Sequence, residues 1–232
     1  MTHPLSIFIG VDPRERAATN VLIDSLYQHS RTPLAITPLI TTQLEAQGLY
    51  WRKRDPKQST AFSFTRFLVP HLMNYEGWAL FMDCDMLCRG DISKLWSYIN
   101  ENFALMCIQH EHVPAETIKF QGEVQSQYPK KNWSSFMLMN CNKCTALTPE
   151  YINKVSGLDL HRFHWLEGDQ QIGSLPEGWN HLVGVQDENK AKNASMLHWT
   201  LGGPWFKDQR TLGGEVAAEW FAARDDSFKL WD

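Results

Sequence analysis

Residues 79–87, Ala-Leu-Phe-Met-Asp-Cys-Asp-Met-Leu, set two carboxylates, Asp83 and Asp85, at the C-terminal end of a run of bulky apolar residues. A run of this length and bulk reads as a buried strand. Unpaired charge is costly to bury, so the two aspartates make poor core material. They suit a hard divalent ion such as Mg2+ or Mn2+, which takes carboxylate oxygens and leaves positions for water and phosphate. For an Asp-x-Asp standing alone, a strand running into an acidic turn is the plainer alternative. The rest of the chain decides between them.

A chain of 232 residues, 43% hydrophobic and 21% charged, is long enough for one α/β domain with a substantial core. Its net charge of -4 leaves no footprint for a phosphate backbone, which excludes a nucleic-acid partner. Ten Trp and twelve Phe suit either a sugar or nucleotide site or a core rich in aromatics. Polar Thr2 and His3 lead straight into a short strand, so no leader is expected, and no apolar stretch reaches the ~20 residues of a membrane span. Five cysteines, an odd count without a framework spacing, point to reduced thiols and a cytoplasmic protein. Cys141 and Cys144 have Cys-x-x-Cys spacing, but no second pair or suitably spaced His accompanies them, which argues against zinc.

Residues 5–11 form a β-rich run closing on Asp12-Pro13, and residues 15–29 repeat apolar side chains at helical spacing, which opens a βα unit. Residues 34–39 are a second short apolar run, and the polar residues 43–58 predict surface structure. Ser59-Thr60 can cap a helix reaching residue 74, bent or shortened at Pro70. Asp91 is an N-cap candidate for residues 92–99, and Thr148-Pro149-Glu150 joins a cap, a first-turn proline and an early acid. Residues 103–108 and 133–139 are further apolar runs, and the glycine-dotted chain after Gly157 reads as loop. No repeat, low-complexity tract or linker divides residues 1–232, so a single domain is expected. Alternating strands and helices predict a three-layer α/β fold around a mostly parallel sheet. Ligands of such sheets bind at the carboxyl ends of strands, where Asp12, Asp83 and Asp85 would sit.

Two chemistries suit the paired aspartates. An Asp nucleophile with an Asp acid/base, as in haloacid-dehalogenase-type phosphatases, belongs on the first strand with Thr, Ser or Val two residues on. Here a βα unit precedes the motif and Met86-Leu87 follow it. The other chemistry is a metal across the diphosphate of a nucleotide-sugar, which neutralises charge developing on the leaving group. Residues 63–70 (Ser-Phe-Thr-Arg-Phe-Leu-Val-Pro), 78–87 and 90–96 (Gly-Asp-Ile-Ser-Lys-Leu-Trp) resemble the central region of GT-A glycosyltransferases, above all glycosyltransferase family 8. That family has an Arg-containing helix, Asp-x-Asp, then Gly-Asp-(Ile/Leu)-x-x-Leu-Trp. Two later segments resemble it in the same order: Asp169-Gln170 with Leu175-Pro-Glu-Gly-Trp-Asn180, and Met196-Leu-His-Trp-Thr-Leu-Gly-Gly-Pro-Trp205.

The resemblance implies a GT-A, Rossmann-like α/β/α domain that moves a sugar from a nucleoside diphosphate donor, UDP-linked, with retention of configuration. It implies that Asp83 and Asp85 hold Mn2+ or Mg2+, with Asp83 also facing the donor, and that His198 is the third ligand. Arg66 would reach the donor sugar or diphosphate, with a surface ion pair as its alternative; Asp12 would contact the base or ribose. Gly202 and Gly203 would offer backbone amides to phosphate. Asp169 and Gln170 would be the catalytic pair, bonding donor hydroxyls or approaching the reacting carbon, with a helix cap as the alternative for Asp169.

The chain also departs from the pattern. The family's lysine between His-x-x-Gly and Pro-Trp is missing from a segment one residue shorter, Leu201 stands where a glycine would fall, and Lys207 is the candidate replacement. Trp133 falls where a Phe-Asn-Ser-Gly-like segment would have its Asn, with Asn132 beside it. The acceptor, whether glycan, lipid-linked or protein, is left open. Two other classes could use these residues: a metal-dependent phosphohydrolase or nucleotidyltransferase on Asp83/Asp85, and a non-catalytic nucleotide-sugar or glycan-binding module.

Overall fold

The computed structural model describes residues 4–55, 58–111 and 130–229; Thr2, His3 and residues 56–57 of the polar stretch lie outside them. Six strands build the central sheet: β1 (Leu5–Gly10), β2 (Leu34–Leu39), β3 (Trp78–Asp83), β5 (Leu105–Cys107), β6 (Phe136–Asn140) and β7 (Ile172–Ser174). A second, three-stranded sheet holds β4 (Met86–Cys88), β9 (Met196–His198) and β8 (His181–Leu182) in that order. The helices are α1 (Arg16–His29), α2 (Thr41–Ala46), α3 (Val69–Leu72), α4 (Pro149–Lys154), α5 (Gly157–His161), α6 (Glu188–Ala191) and α7 (Glu215–Asp226).

The central order is β2-β1-β3-β6-β5-β7. β1 runs parallel to β2 and β3, and β5 to β7, while β6 is antiparallel to both its neighbours, β3 and β5. The sheet is thus mostly parallel with one reversed strand, and the start of β6 lies along the edge where the parallel strands end. That reversal positions the site. β5 and β6 are buried at every residue and β3 from Ala79 onward, so both faces of the sheet are covered and it forms the middle of three layers.

The local signals at α1 and α4 give the elements they predict. Asp12 caps a short 3-10 turn, Pro13–Glu15, that leads into α1, and the Thr148 side chain accepts from the Tyr151 N–H at the start of α4. Asp91 likewise accepts from Ser93 N–H, although residues 92–98 wind as a 3-10 helix. The long helix expected over residues 59–74 does not form. A 3-10 turn, Thr65–Leu68, passes into the single turn of α3 instead. Pro70 has no N–H to donate, and Phe62, Phe64, Phe67, Leu68 and Val69 are all buried, so the segment lacks the solvent face that an amphipathic helix needs. The polar stretch is not all surface, since Leu44, Tyr50 and Gln58 are buried in it. The region read as loop after residue 157 contains β7, β8, β9 and α7.

Two apolar clusters result. The larger joins Ile7, Ile9, Leu22, Leu26, Phe62, Phe67, Phe81, Leu138 and Met139 around the central sheet. The smaller joins Val21, Leu87, Leu197, Trp199, Val216 and Trp220. Met86, Cys88 and Met196 point into the first cluster, Leu87 and Leu197 into the second, as strand alternation requires. The small sheet is therefore clamped between the two cores.

Candidate active site

β1 and β3 are neighbours, and their connections leave in opposite directions across the sheet, which makes the gap at their carboxyl ends a switch-point crevice. Asp83 ends β3 and pairs in register with Gly10, so it lies at this crevice. Asp85 precedes β4, and the antiparallel pairing of β4 with β9 puts His198 opposite Met86 and beside Asp85. The Asp85 carbonyl accepts from Trp199 N–H at 2.9 Å, which locks that register. One ligand atom from each of Asp83, Asp85 and His198 then falls within 4.8 Å of the others, and all three side chains are buried.

The donor set fits a cation. His198 Nδ1 lies 2.8 Å from Asn180 Oδ1, while its Nε2 points at Asp85 Oδ1 across 3.3 Å. Neither of those facing atoms has a hydrogen-bond partner among the described residues. Buried polar atoms are nearly always satisfied, so a carboxylate oxygen and an imidazole nitrogen left facing each other mark a place for a positive ion. Arg66 supplies positive charge from the other side. It is buried, its Nη1 lies 2.9 Å from Asp83 Oδ1 and donates to Ser134 O at 2.8 Å, and its guanidinium stands 5.1 Å from both the Phe62 and Phe81 ring centres. The ion pair weighed for Arg66 thus exists, but it is buried at the site and not on the surface.

Negative charge is in excess around this pair. Burial, then the charges of Asp85 and Asp12, push the Glu15 carboxyl well above the ordinary carboxylate range, and Cys84 Sγ lies 3.7 Å from Glu15 Oε2. Burial would also raise Asp12, but hydrogen bonds from the Arg14 side chain and from the Arg14 and Ala61 N–H groups outweigh it and hold that carboxyl below its usual value. Those bonds, two to each oxygen at 2.8–3.0 Å, leave Asp12 acting as a cap and an anchor for Arg14.

The other expected residues lie in different settings. Gly202 and Gly203 are buried, and the Gly202 N–H is taken by Trp199 O at 2.9 Å, so it is not an exposed phosphate donor. Lys207 is exposed, and its ammonium has no hydrogen bond or ion pair among the described residues. Asp169 and Gln170 are both exposed and lie outside the three-residue cluster; Asp169 pairs with Lys130 at 2.5 Å, and Gly168 rather than Asp169 holds the cap position of its turn. A cavity of about 890 Å3 opens nearby, lined by His110, Lys131, Asn132, Ser174, Thr200 and Leu201 among others. Burial, then the neighbouring His198, pushes the His110 imidazole down to about 4, so that ring is neutral. Glu15, Ser135 and the supporting role of Asn180 escape a reading of the sequence; the Trp-Asn pair at 179–180 was the signal available for Asn180, and its burial is visible only in the fold.

Residues 39–209, well over half of the chain, match the family Glycosyl transferase family 8. The chain belongs to glycosyltransferase family 8. It is a glycosyltransferase, and its fold is that of the GT-A enzymes it superposes on. Protein CDI of Arabidopsis thaliana is 48% identical to it over 208 residues, which cover 88% of this chain and 80% of that protein. The apo structure of the bifunctional glycosyltransferase WbbM matches 97% of the chain with a TM-score of 0.68 and 14% identity. The galactosyltransferase LgtC, in complex with donor and acceptor sugar analogs, matches with a TM-score of 0.59 and 10% identity over 98% of each chain. GlyE of Streptococcus pneumoniae TIGR4 gives 0.58 and 17%. The family 8 chain spans 50% of the WbbM chain and 63% of the GlyE chain. No helix among the described residues is long and apolar enough to cross a membrane.

Proposed function

We propose that this family 8 glycosyltransferase moves a sugar from a UDP-linked donor to an acceptor hydroxyl, with retention, using Mn2+ or Mg2+ held by Asp83, Asp85 and His198. The observation that carries the reading is the pair of facing, unsatisfied atoms, Asp85 Oδ1 and His198 Nε2, beside Asp83. The metal's chemistry is to neutralise charge growing on the departing diphosphate. The chain's own residues do the rest. Arg66 fixes the Asp83 carboxylate from the protein side, and the buried aromatic rings around its guanidinium keep water out. The Asp12–Arg14 pair and the Ala61 amide shape the crevice rim where the nucleoside would lie. Asp169 and Gln170 would meet the donor sugar once Asp169 leaves Lys130, and Lys207, in the exposed turn after Trp205, would be a cation able to approach the diphosphate. The cavity lined by His110, Asn132 and Thr200 would admit the acceptor, a glycan, lipid-linked sugar or protein.

Thermal unfolding with Mn2+ and UDP tests this. At ligand about 100-fold above its Kd, binding contributes about 2.7 kcal/mol, a rise of roughly 5–10 °C for a chain of this size. The rise should require both ligands and vanish in Asp83→Asn/Asp85→Asn. It should vanish equally in Asp85→Asn alone, which leaves the Arg66–Asp83 pair in place. A rise that survives these changes overturns the assignment. Slow metal-dependent hydrolysis of a UDP-sugar separates a transferase from a pure binding module, and release of inorganic phosphate would indicate a phosphohydrolase instead.

A further inference from the structure

The hydrogen bonds behind His198 can be followed until every proton is assigned. Ser135 Oγ lies 2.6 Å from the backbone carbonyl of Asn132, which can only accept, so the single Ser135 hydroxyl proton is committed there. Ser135 Oγ can then only accept from its other neighbour, Asn180, at 2.9 Å, which must present its NH2 group. That orientation leaves Asn180 Oδ1 facing His198 Nδ1 at 2.8 Å, and an amide oxygen can only accept. The Nδ1 must carry the proton. In a neutral ring the Nε2 is then a bare lone pair, aimed at Asp85 Oδ1.

Burial makes the sequence of bonds hard to reverse, since Ser135, Asn180 and His198 are each at most 3% exposed. If the Asn180 amide turned over, its NH2 would meet Nδ1 and its oxygen would face Ser135, whose hydroxyl would have to abandon the Asn132 carbonyl. The imidazole would then carry its proton on Nε2, pointing at Asp85 where a cation belongs. Metal-ligating histidines are generally fixed in this way through the nitrogen that does not bind the metal.

We propose that Ser135, acting through Asn180, is a positioning residue that permits His198 only the Nδ1-protonated neutral tautomer and so keeps Nε2 open for the cation. The cation rests on the function proposed above; the tautomer does not. The relay also gives the unusual Asn132-Trp133-Ser134-Ser135 segment a purpose, because it ties the start of β6 to β9.

Two readouts on the full chain test it. The first is long-range 1H–15N NMR of the metal-free protein at a pH where the ring is neutral, with His198 assigned through His198→Gln. The wild type and Ser135→Thr should show the Nδ1-protonated ring, whereas Ser135→Ala, which frees the amide to turn, should show the Nε2-protonated form. The second is Mn2+ titration, in which Ser135→Ala should bind about 10- to 100-fold more weakly and Ser135→Thr should recover the affinity. An unchanged tautomer in Ser135→Ala overturns the relay, even if metal affinity falls. A wild type that binds no Mn2+ sinks the metal reading, yet the tautomer still decides the relay. Should Ser135→Ala not fold, Ser135→Val serves, since it has the shape of the Thr variant but cannot accept from the Asn180 NH2. It should show the Nε2-protonated ring, and an unchanged Nδ1-protonated ring there overturns the proposal.

Discussion

Four buried carboxyls, Asp12, Glu15, Asp83 and Asp85, share the crevice with two arginines, and Arg14 and Arg66 are already bound to Asp12 and Asp83. Glu15 bears the imbalance. Burial and the charges of Asp85 and Asp12 favour its neutral form, so the folded protein holds that proton more tightly than the unfolded chain does. The gain from holding it is complete below the ordinary value of 4.5 and is lost as pH climbs through the raised folded value. Glu15→Gln, which keeps a neutral side chain at every pH, should therefore stabilise the metal-free protein at neutral pH. The advantage should shrink as pH falls and disappear below the ordinary value of 4.5. Urea denaturation across pH in the presence of a chelator measures this, and an advantage that does not change with pH would refute it. Asp83 and Asp85 were legible in the sequence because carboxylates ending an apolar run are chemically out of place. Glu15 was not, because nothing local tells a helix-start glutamate from one turned inward.

At the scale of elements, the segment after β9 explains the missing lysine. A Cβ on Gly203 would sit 2.2 Å from the Trp205 indole, so that ring occupies the space a side chain at this position would need. Trp205 in turn packs against Trp199 and Trp220, with ring centres 6.0 and 5.3 Å away, and cannot easily withdraw. Grafting the family's cation back as Gly203→Lys should accordingly fail. Overpacking of this kind costs about 1–3 kcal/mol. The variant should unfold at a lower temperature and bind UDP with Mn2+ no more tightly than the parent. Tighter binding without loss of stability would show that the indole is no barrier. The lysine's absence could be read from the residue order, but the reason for it could not, because Trp205 reaches back over Gly203 only in the folded loop. The same limit applied to residues 59–74, where capping residues promised a helix and burial of five apolar side chains outweighed them.

Across the whole molecule, the cluster Asp83–Asp85–His198 depends on two cores at once. β3 delivers Asp83 from the main core, while β9 carries His198 on a small sheet whose other face rests on Trp199, Val216 and Trp220. Trp220→Ala should cost about 3–5 kcal/mol, as large aromatic truncations in cores do. It should also weaken Mn2+ binding in protein that is still folded, because the sheet that fixes His198 loses its backing. Denaturation curves paired with Mn2+ titration check both effects, and a stability loss with intact affinity would mean that the second core does not support the site. The sequence by itself determined the strand that ends in Asp83, the first βα unit, the family and the identity of the third metal-ligand candidate, but not that the chain breaks at Cys84-Asp85 into strands of two different sheets. Each feature so determined is written in local pattern or in the order of short motifs. Only the tertiary structure decided that β6 runs backwards, that Arg66 turns to Asp83, that Asp169 pairs with Lys130, and that Ser135 reaches His198 through Asn180. These are pairings between residues about 17 to 62 positions apart, set by how the sheets and cores close, and no local periodicity encodes them.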